Sequence, residues 1–120
     1  MLVVEDSAEC AATIEMALAP LPGIEVRVTR TAEEGLRVVE ESEPAAVITD
    51  IQLPGMDGLQ LVARLRGDGR YARLPILVIS GASGREVFES AMTAGASAYF
   101  SKPFSPGAVR QKLEALIESP

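Results

Sequence analysis

Glu5, Asp6, Asp50, Ser80 and Lys102 are the residues whose types and settings could do chemistry together. Each ends a short apolar run. Leu2-Val3-Val4 precedes Glu5 and Asp6. Ala45-Ala46-Val47-Ile48-Thr49 precedes Asp50. Ile76-Leu77-Val78-Ile79 precedes Ser80 and Gly81, and Ala98-Tyr99-Phe100 precedes Ser101, Lys102 and Pro103. Carboxylates brought together repel one another, which is costly without a counter-ion. Two cations answer that need. One is a hard divalent ion such as Mg²⁺, which prefers carboxylate and carbonyl oxygens and keeps several waters. The other is the ammonium of Lys102, a point charge on a flexible stem. An acidic pocket holding Mg²⁺, a lysine and a hydroxyl suits a phosphoryl group, because cations neutralise its oxygens and hydroxyl and backbone N–H groups donate to them. One carboxylate could then act as nucleophile and form an acyl phosphate.

These residues meet only if the apolar runs are strands of one sheet. Ile24 to Thr29 supplies a fifth run, in which Val26 and Val28 alternate with charged Glu25 and Arg27, as on a partly exposed edge strand. It ends at Thr29-Arg30 and adds no clear chemistry. The run Ile76–Ile79 has no polar interruption and reads as buried on both faces. Helical patterns lie between and after the strands. Asp6 with Glu9, Thr31 with Glu34 and Ser83 with Glu86 fit a capping box, Asp57 with Gln60 is a looser variant, and Ser105-Pro106 is a cap followed by a first-turn proline. Ile14 and Leu18, Leu36 and Val39, Leu61 and Leu65, and Val109, Leu113, Leu116 and Ile117 keep helical spacing. Gly23, Gly67 and Gly95 fall where helices stop. Strands alternating with helices predict an α/β fold, an open doubly wound parallel sheet of five strands with five helices on both faces. All its strands end on one edge, where ligands bind.

Composition removes competing classes. The 120-residue chain has the length of one domain. It has no His, which excludes Ser-His-Asp and Cys-His catalysis, histidine metal sites and a histidine phosphoacceptor. Aromatics are 4% with no Trp, and the net charge is −6, so a base-stacking or phosphate-backbone binder is not expected. Cys10 is the single cysteine, and reads as a small apolar helix residue in a reducing compartment. No apolar run approaches the roughly 20 residues of a membrane helix. The expectation is a soluble cytoplasmic domain without membrane contact.

The motifs also carry a family resemblance. Leu2-Val3-Val4-Glu5-Asp6-Ser7, Ile48-Thr49-Asp50-Ile51-Gln52-Leu53-Pro54-Gly55-Met56-Asp57-Gly58, Ile76-Leu77-Val78-Ile79-Ser80-Gly81, and Ala94-Gly95-Ala96 followed by Tyr99-Phe100-Ser101-Lys102-Pro103-Phe104 stand in this order along the chain. The sequence resembles the receiver domain of two-component response regulators over its whole length, 1–120, as one domain. The resemblance implies a flavodoxin-like sheet of order 2-1-3-4-5. It implies that Asp50 is the phosphoacceptor and that Asp6, with Glu5 acting largely through water, binds Mg²⁺ beside Asp50 and the backbone carbonyl of Gln52. Ser80 and Lys102 would contact the phosphoryl group, the Lys102–Pro103 peptide bond would be cis, and Tyr99 would be the switch aromatic. Glu5 stands where Asp is frequent, Ser80 where Thr is commoner, and Gly81 where Ala is usual.

The implied function is phosphoryl acceptance from a sensor histidine kinase or phosphotransfer protein, as part of a phosphorelay, with self-dephosphorylation and no turnover of a separate substrate. Gln52 and Ala82 flank the site and would influence the lifetime of the phosphoryl group. A downstream effector domain or protein would read the change, and a homodimer through the face of the fourth helix, fifth strand and fifth helix is compatible with the pattern. Whether the chain stands alone or belongs to a longer regulator or hybrid kinase stays open. The alternative is a pseudo-receiver, a phosphorylation-independent binding module with the same fold. An aspartate phosphatase is disfavoured because Gln52 stands where that class carries its second Asp. Bland readings compete at single positions. Asp6 also fits as the cap of the first helix, Ser80 as a structural hydroxyl, Tyr99 as a half-buried edge aromatic, Leu53-Pro54-Gly55 as a plain turn, and Met16, Met56 and Met92 as core filling.

Overall fold

Strand residues point alternately to the two faces of a sheet, so each short apolar run here feeds two cores at once. The computed structural model describes residues 1–81 and 84–118. Ser83, expected as a helix cap, and Ala82, expected beside the site, lie outside them. The elements are β1 (Leu2–Val4), α1 (Ala8–Leu18), β2 (Arg27–Thr29), α2 (Ala32–Ser42), β3 (Val47–Thr49), α3 (Gly58–Arg66), β4 (Ile76–Ser80), α4 (Arg85–Ala94), β5 (Ala98–Ser101) and α5 (Pro106–Glu118), with a 3₁₀ turn at Gly69–Tyr71 before β4. All pairings are parallel and the order is β2-β1-β3-β4-β5. The doubly wound sheet expected from the alternation is therefore the fold, with the switch point between β1 and β3.

Leu2, Val4, Val47, Ile76 and Val78 face one core, together with Val38 and Val39 of α2, Leu61, Val62 and Leu65 of α3, and Ala91 of α4. Val3, Ile48, Leu77 and Ile79 face the other, against Ile14 and Leu18 of α1 and Val109 and Leu113 of α5. The register locks this parity across the sheet: Val3 lies beside Val28 and Ile48, Ile48 beside Leu77, and Val78 beside Tyr99.

Local signals held at some ends and failed at others. Asp57 and Gln60 form a complete capping box on α3, Thr31 caps α2 through the Glu34 N–H at 3.2 Å, and Ser105 accepts from the Ala108 N–H at 3.3 Å at the start of α5. At α1 the cap is Ser7, whose hydroxyl accepts from the Cys10 N–H at 3.3 Å, so Asp6 is not the cap. Asp6 stands one residue too early for its side chain to reach the first free N–H groups. The second strand is also shorter than expected: residues 24–26 lie outside it, although Ile24, Val26 and Val28 still pack on the α1/α5 core. Met56 packs against the α2/α3 core, but Met16 is 76% and Met92 38% exposed, which corrects the expectation of core filling for both. No helix among the described residues is long and apolar enough to cross a membrane.

Candidate functional site

The sheet's alternation continues for one residue past the strand ends, and this builds the site. The Glu5 N–H donates to the Thr29 carbonyl at 2.9 Å, the Asp50 N–H to Val4 at 3.1 Å, and the Lys102 N–H to Ser80 at 2.8 Å. Glu5 thereby keeps the parity of Val3, Asp50 that of Ile48, and Lys102 that of Phe100. The three side chains converge on the α1/α5 side of the carboxyl edge. Lys102 Nζ donates to Asp50 Oδ2 at 2.8 Å and to Glu5 Oε2 at 3.2 Å. The remaining Asp50 oxygen, Oδ1, accepts from the Gln52 N–H at 3.1 Å, and Glu5 Oε1 from the Ser7 N–H at 3.3 Å. Glu5 and Asp50 are buried, and Lys102 is half-buried.

Burial and neighbouring charge set the protonation of this triad. Burial disfavours the Asp50 anion, but hydrogen bonds from Lys102, the Gln52 N–H and Glu5 outweigh it and hold its carboxyl below the usual value. Glu5 is pushed up to about 6 by burial and by the adjacent Asp50, against the pull of Lys102. Burial works against the Lys102 ammonium as well, yet Asp50 and Glu5 raise its pKa overall. At neutral pH the site therefore presents an ionised Asp50 held by a cation.

Ser80 and Tyr99 carry the opposite parity. Ser80, two residues after Val78, is fully buried, and Tyr99 lies beside Val78 and packs on the α2/α3/α4 core. The Tyr99 ring meets Phe88 of α4 edge-on, with centroids 6.2 Å apart. Asp6 is exposed, and its carbonyl accepts from Arg30 Nη2 at 3.1 Å. The Lys102–Pro103 peptide bond is cis. Of the residues named from sequence, the side chains of Glu5, Asp50 and Lys102 and the Gln52 N–H join in one cluster, the Ser80 carbonyl accepts from the Lys102 N–H, and Tyr99 packs on the opposite core.

Sequence reasoning missed the supports. The Thr49 hydroxyl donates to the Asp50 carbonyl at 2.8 Å. The start of α3 presses on the same carbonyl: a Cβ at Gly58 would lie 1.9 Å from it, so only glycine permits this approach. Nothing local to Asp57-Gly58 separates this close approach from an ordinary loop glycine. Arg30, for which the sequence predicts no clear chemistry, reaches the Asp6 carbonyl, and its position directly after a strand is the available clue.

At the edge of a 2-1-3-4-5 sheet, the Lys102 ammonium thus stands between the buried Asp50 and Glu5 carboxylates. Residues 1–114 match the profile of the response regulator receiver domain. The chain belongs to that family. Chemotaxis protein CheY1 of Helicobacter pylori is 34% identical over 121 residues, covering 98% of this chain and 95% of the relative. A crystal structure described as a response regulator from Chloroflexus aurantiacus superposes with a TM-score of 0.92 at 31% identity, covering 98% of this chain and 96% of the other. The receiver domain of a sensor histidine kinase from Pseudomonas aeruginosa, described with a magnesium ion coordinated in its active site cleft, superposes at 0.88 with 27% identity over 98% and 96% of the two chains. The chain is thus a CheY-like receiver of two-component signalling, a family of signalling switches rather than of enzymes turning over separate substrates.

Proposed function

We propose that this receiver accepts a phosphoryl group on Asp50 in a Mg²⁺-dependent reaction and thereby switches a protein-interaction surface. The observation that carries the reading is the bridge of Lys102 Nζ between Asp50 Oδ2 and Glu5 Oε2 at the carboxyl edge. It supports an anionic nucleophile beside a cation that neutralises the incoming charge. In the transfer, an Asp50 carboxylate oxygen forms a bond to phosphorus as the bond from phosphorus to the donor's leaving atom breaks, and the leaving group takes that electron pair. Lys102 and the Ser80 hydroxyl then contact the new phosphoryl oxygens. Water later hydrolyses the acyl phosphate and returns the carboxylate.

The donor set fits Mg²⁺. Two carboxylates, Glu5 and Asp50, already converge on a single cation, and every candidate donor is oxygen. Among the described residues no three acidic, His or Cys side chains form a ready cage. Mg²⁺ needs none, since one or two carboxylates and several waters suffice. Glu5, Asp6, Asp50 and the Gln52 carbonyl would hold it, and it would neutralise phosphoryl oxygens during transfer.

The donor is a histidine kinase or phosphotransfer protein, and the reader is an effector domain or protein. Tyr99 and Phe88 couple the site to the α4–β5–α5 face, through which a homodimer is also compatible. Residues 1–120 are read as one receiver domain acting in the cytoplasm. Phosphorylation shifts the two states only by its differential interaction with them. Intact-protein mass spectrometry after incubation with a small acyl phosphodonor tests the reading. One Mg²⁺-dependent phosphoryl adduct is expected on the wild-type chain and none on Asp50→Asn. Absence of both adduct and Mg²⁺ binding in the folded protein would favour a phosphorylation-independent binding module.

A further inference from the structure

The corner between β2 and α2 bears none of the residues assigned to phosphoryl chemistry, yet it reaches the two loops that carry Asp6 and Gln52. Arg30 Nη2 donates to the Asp6 carbonyl in the β1–α1 loop at 3.1 Å, across 24 residues. Glu33 Oε2 accepts from the Met56 N–H in the β3–α3 loop at 3.3 Å, across 23 residues. A second observation supports the Glu33 contact. Gly55 adopts φ +75°, and a Cβ there would lie 2.9 Å from the same Glu33 oxygen, so this loop is seated directly against the carboxylate.

The corner is a firm base for two such contacts. Thr31 caps α2, Ala32 is fully buried, and Gly35 sits so close to β1 that a Cβ would approach Val4 Cγ2 to 2.9 Å. Arg30 and Glu33 therefore reach outward from a fixed point, one as a donor and one as an acceptor. The loops they hold are the ones bearing Asp6 and Gln52.

We propose that Arg30 and Glu33 form a clamp that positions the metal-binding half of the site, fixing the β1–α1 and β3–α3 loops before Mg²⁺ arrives. The inference rests on the Mg²⁺-dependent reading above. Outer groups that orient ligands are felt as metal affinity, because they hold the ligands in place before the ion binds. Both residues act through backbone groups of other residues and are positioning residues.

Charge and positioning predict different results, which makes the test sharp. Loss of the Arg30 cation alone would tighten Mg²⁺ binding by removing like charge, whereas loss of the clamp weakens it. Loss of the Glu33 charge alone would weaken binding equally in Glu33→Gln and Glu33→Ala. Loss of the acceptor weakens it only in Glu33→Ala, because the Gln amide oxygen still accepts from Met56. The experiment titrates Mg²⁺ alone into the full chain, followed by backbone amide shifts in NMR, for wild type, Arg30→Ala, Glu33→Gln and Glu33→Ala. Hydrogen exchange of the Met56 amide is read in the metal-free proteins.

Arg30→Ala and Glu33→Ala should each weaken Mg²⁺ by about threefold to tenfold, the net worth of one hydrogen bond. Glu33→Gln should stay near wild type. Met56 exchange should quicken by a similar factor in Glu33→Ala only, with thermal midpoints close to wild type. Unchanged or tighter binding in Arg30→Ala, or equal losses in the two Glu33 variants, would overturn the clamp. A wild-type protein that bound no Mg²⁺ would overturn the functional reading and the clamp together. A wild type that binds while the variants match it sinks the clamp alone.

Discussion

Helices α3 and α4 pack side by side against the same core but are held very differently. α3 buries Gly58, Leu61, Val62 and Leu65, starts with a complete capping box and presses on the Asp50 carbonyl. Its far end is tied down by Arg66, which donates to the carbonyls of Gly95 at 2.8 Å and Tyr71 at 2.7 Å and to the Ser97 hydroxyl at 3.2 Å. α4 buries only Ala91 among its ten residues, starts after Gly84, which has no side chain to cap with, and exposes Phe88 (47%) and Met92 (38%). Segments with few buried apolar contacts open at the least cost in free energy. The site thus has a rigid wall at α3 and a loosely held one at α4, and Tyr99 touches the loose one. Under the proposed phosphorylation of Asp50, α4 should move and α3 should stay in place.

Core truncation should expose the contrast most strongly. Leu61→Ala in α3 removes a fully buried side chain and should cost about 2–5 kcal/mol in denaturant unfolding. Gly58→Ala should follow at about 1–3 kcal/mol, because its methyl forces the start of α3 away from Asp50. If Asp50 accepts a phosphoryl group as proposed, the same variant should also slow adduct formation, since it disturbs the Asp50 backbone.

The pH response should separate the charged side of the site from the α4 side. Glu5 is held at about 6 when folded against 4.5 unfolded. The folded state binds that proton more tightly, so its contribution to stability is fully present below about 4.5 and lost as pH rises to about 6. Asp50 acts with the opposite sign: its lowered pKa stabilises the fold above its unfolded value of 3.8, and that stability is lost on acidification. Comparing wild type with Glu5→Gln across pH 4.5 to 6, the wild-type advantage should shrink as pH rises. A flat difference would mean that Glu5 does not hold its proton.

The smallest effect belongs to α4. Phe88→Ala should cost no more than about 1 kcal/mol, the worth of an edge-on aromatic contact on a half-exposed ring. It should still alter the Tyr99 ring environment in NMR. A loss comparable to that of Leu61→Ala would erase the distinction between the two walls.

Much of the charged cluster was legible before the fold was seen. Short apolar runs that end in Glu5, Asp50 and Lys102 place those residues at strand ends, and the period of two of a strand gives them a common face once the strands are parallel. The fold was readable for the same reason, since strand and helix signals alternate along the chain. The supports were less readable. Asp6 and Ser7 both suit a helix cap, and only the backbone path selects Ser7. Met16 and Met92 are apolar by type, but the side of the helix they occupy leaves them at the surface.

By itself, then, the chain determined which residues end which strands and which face each strand residue takes, because those depend on neighbours one to four positions away. Tertiary structure alone decided that Lys102 reaches both carboxylates, that Gly58 lies on the Asp50 carbonyl, and that Arg30 and Glu33 span the site. Those contacts join residues separated by 8 to 97 positions. Their geometry depends on how parallel strands stack in register and where each crossover returns, and no local pattern encodes that.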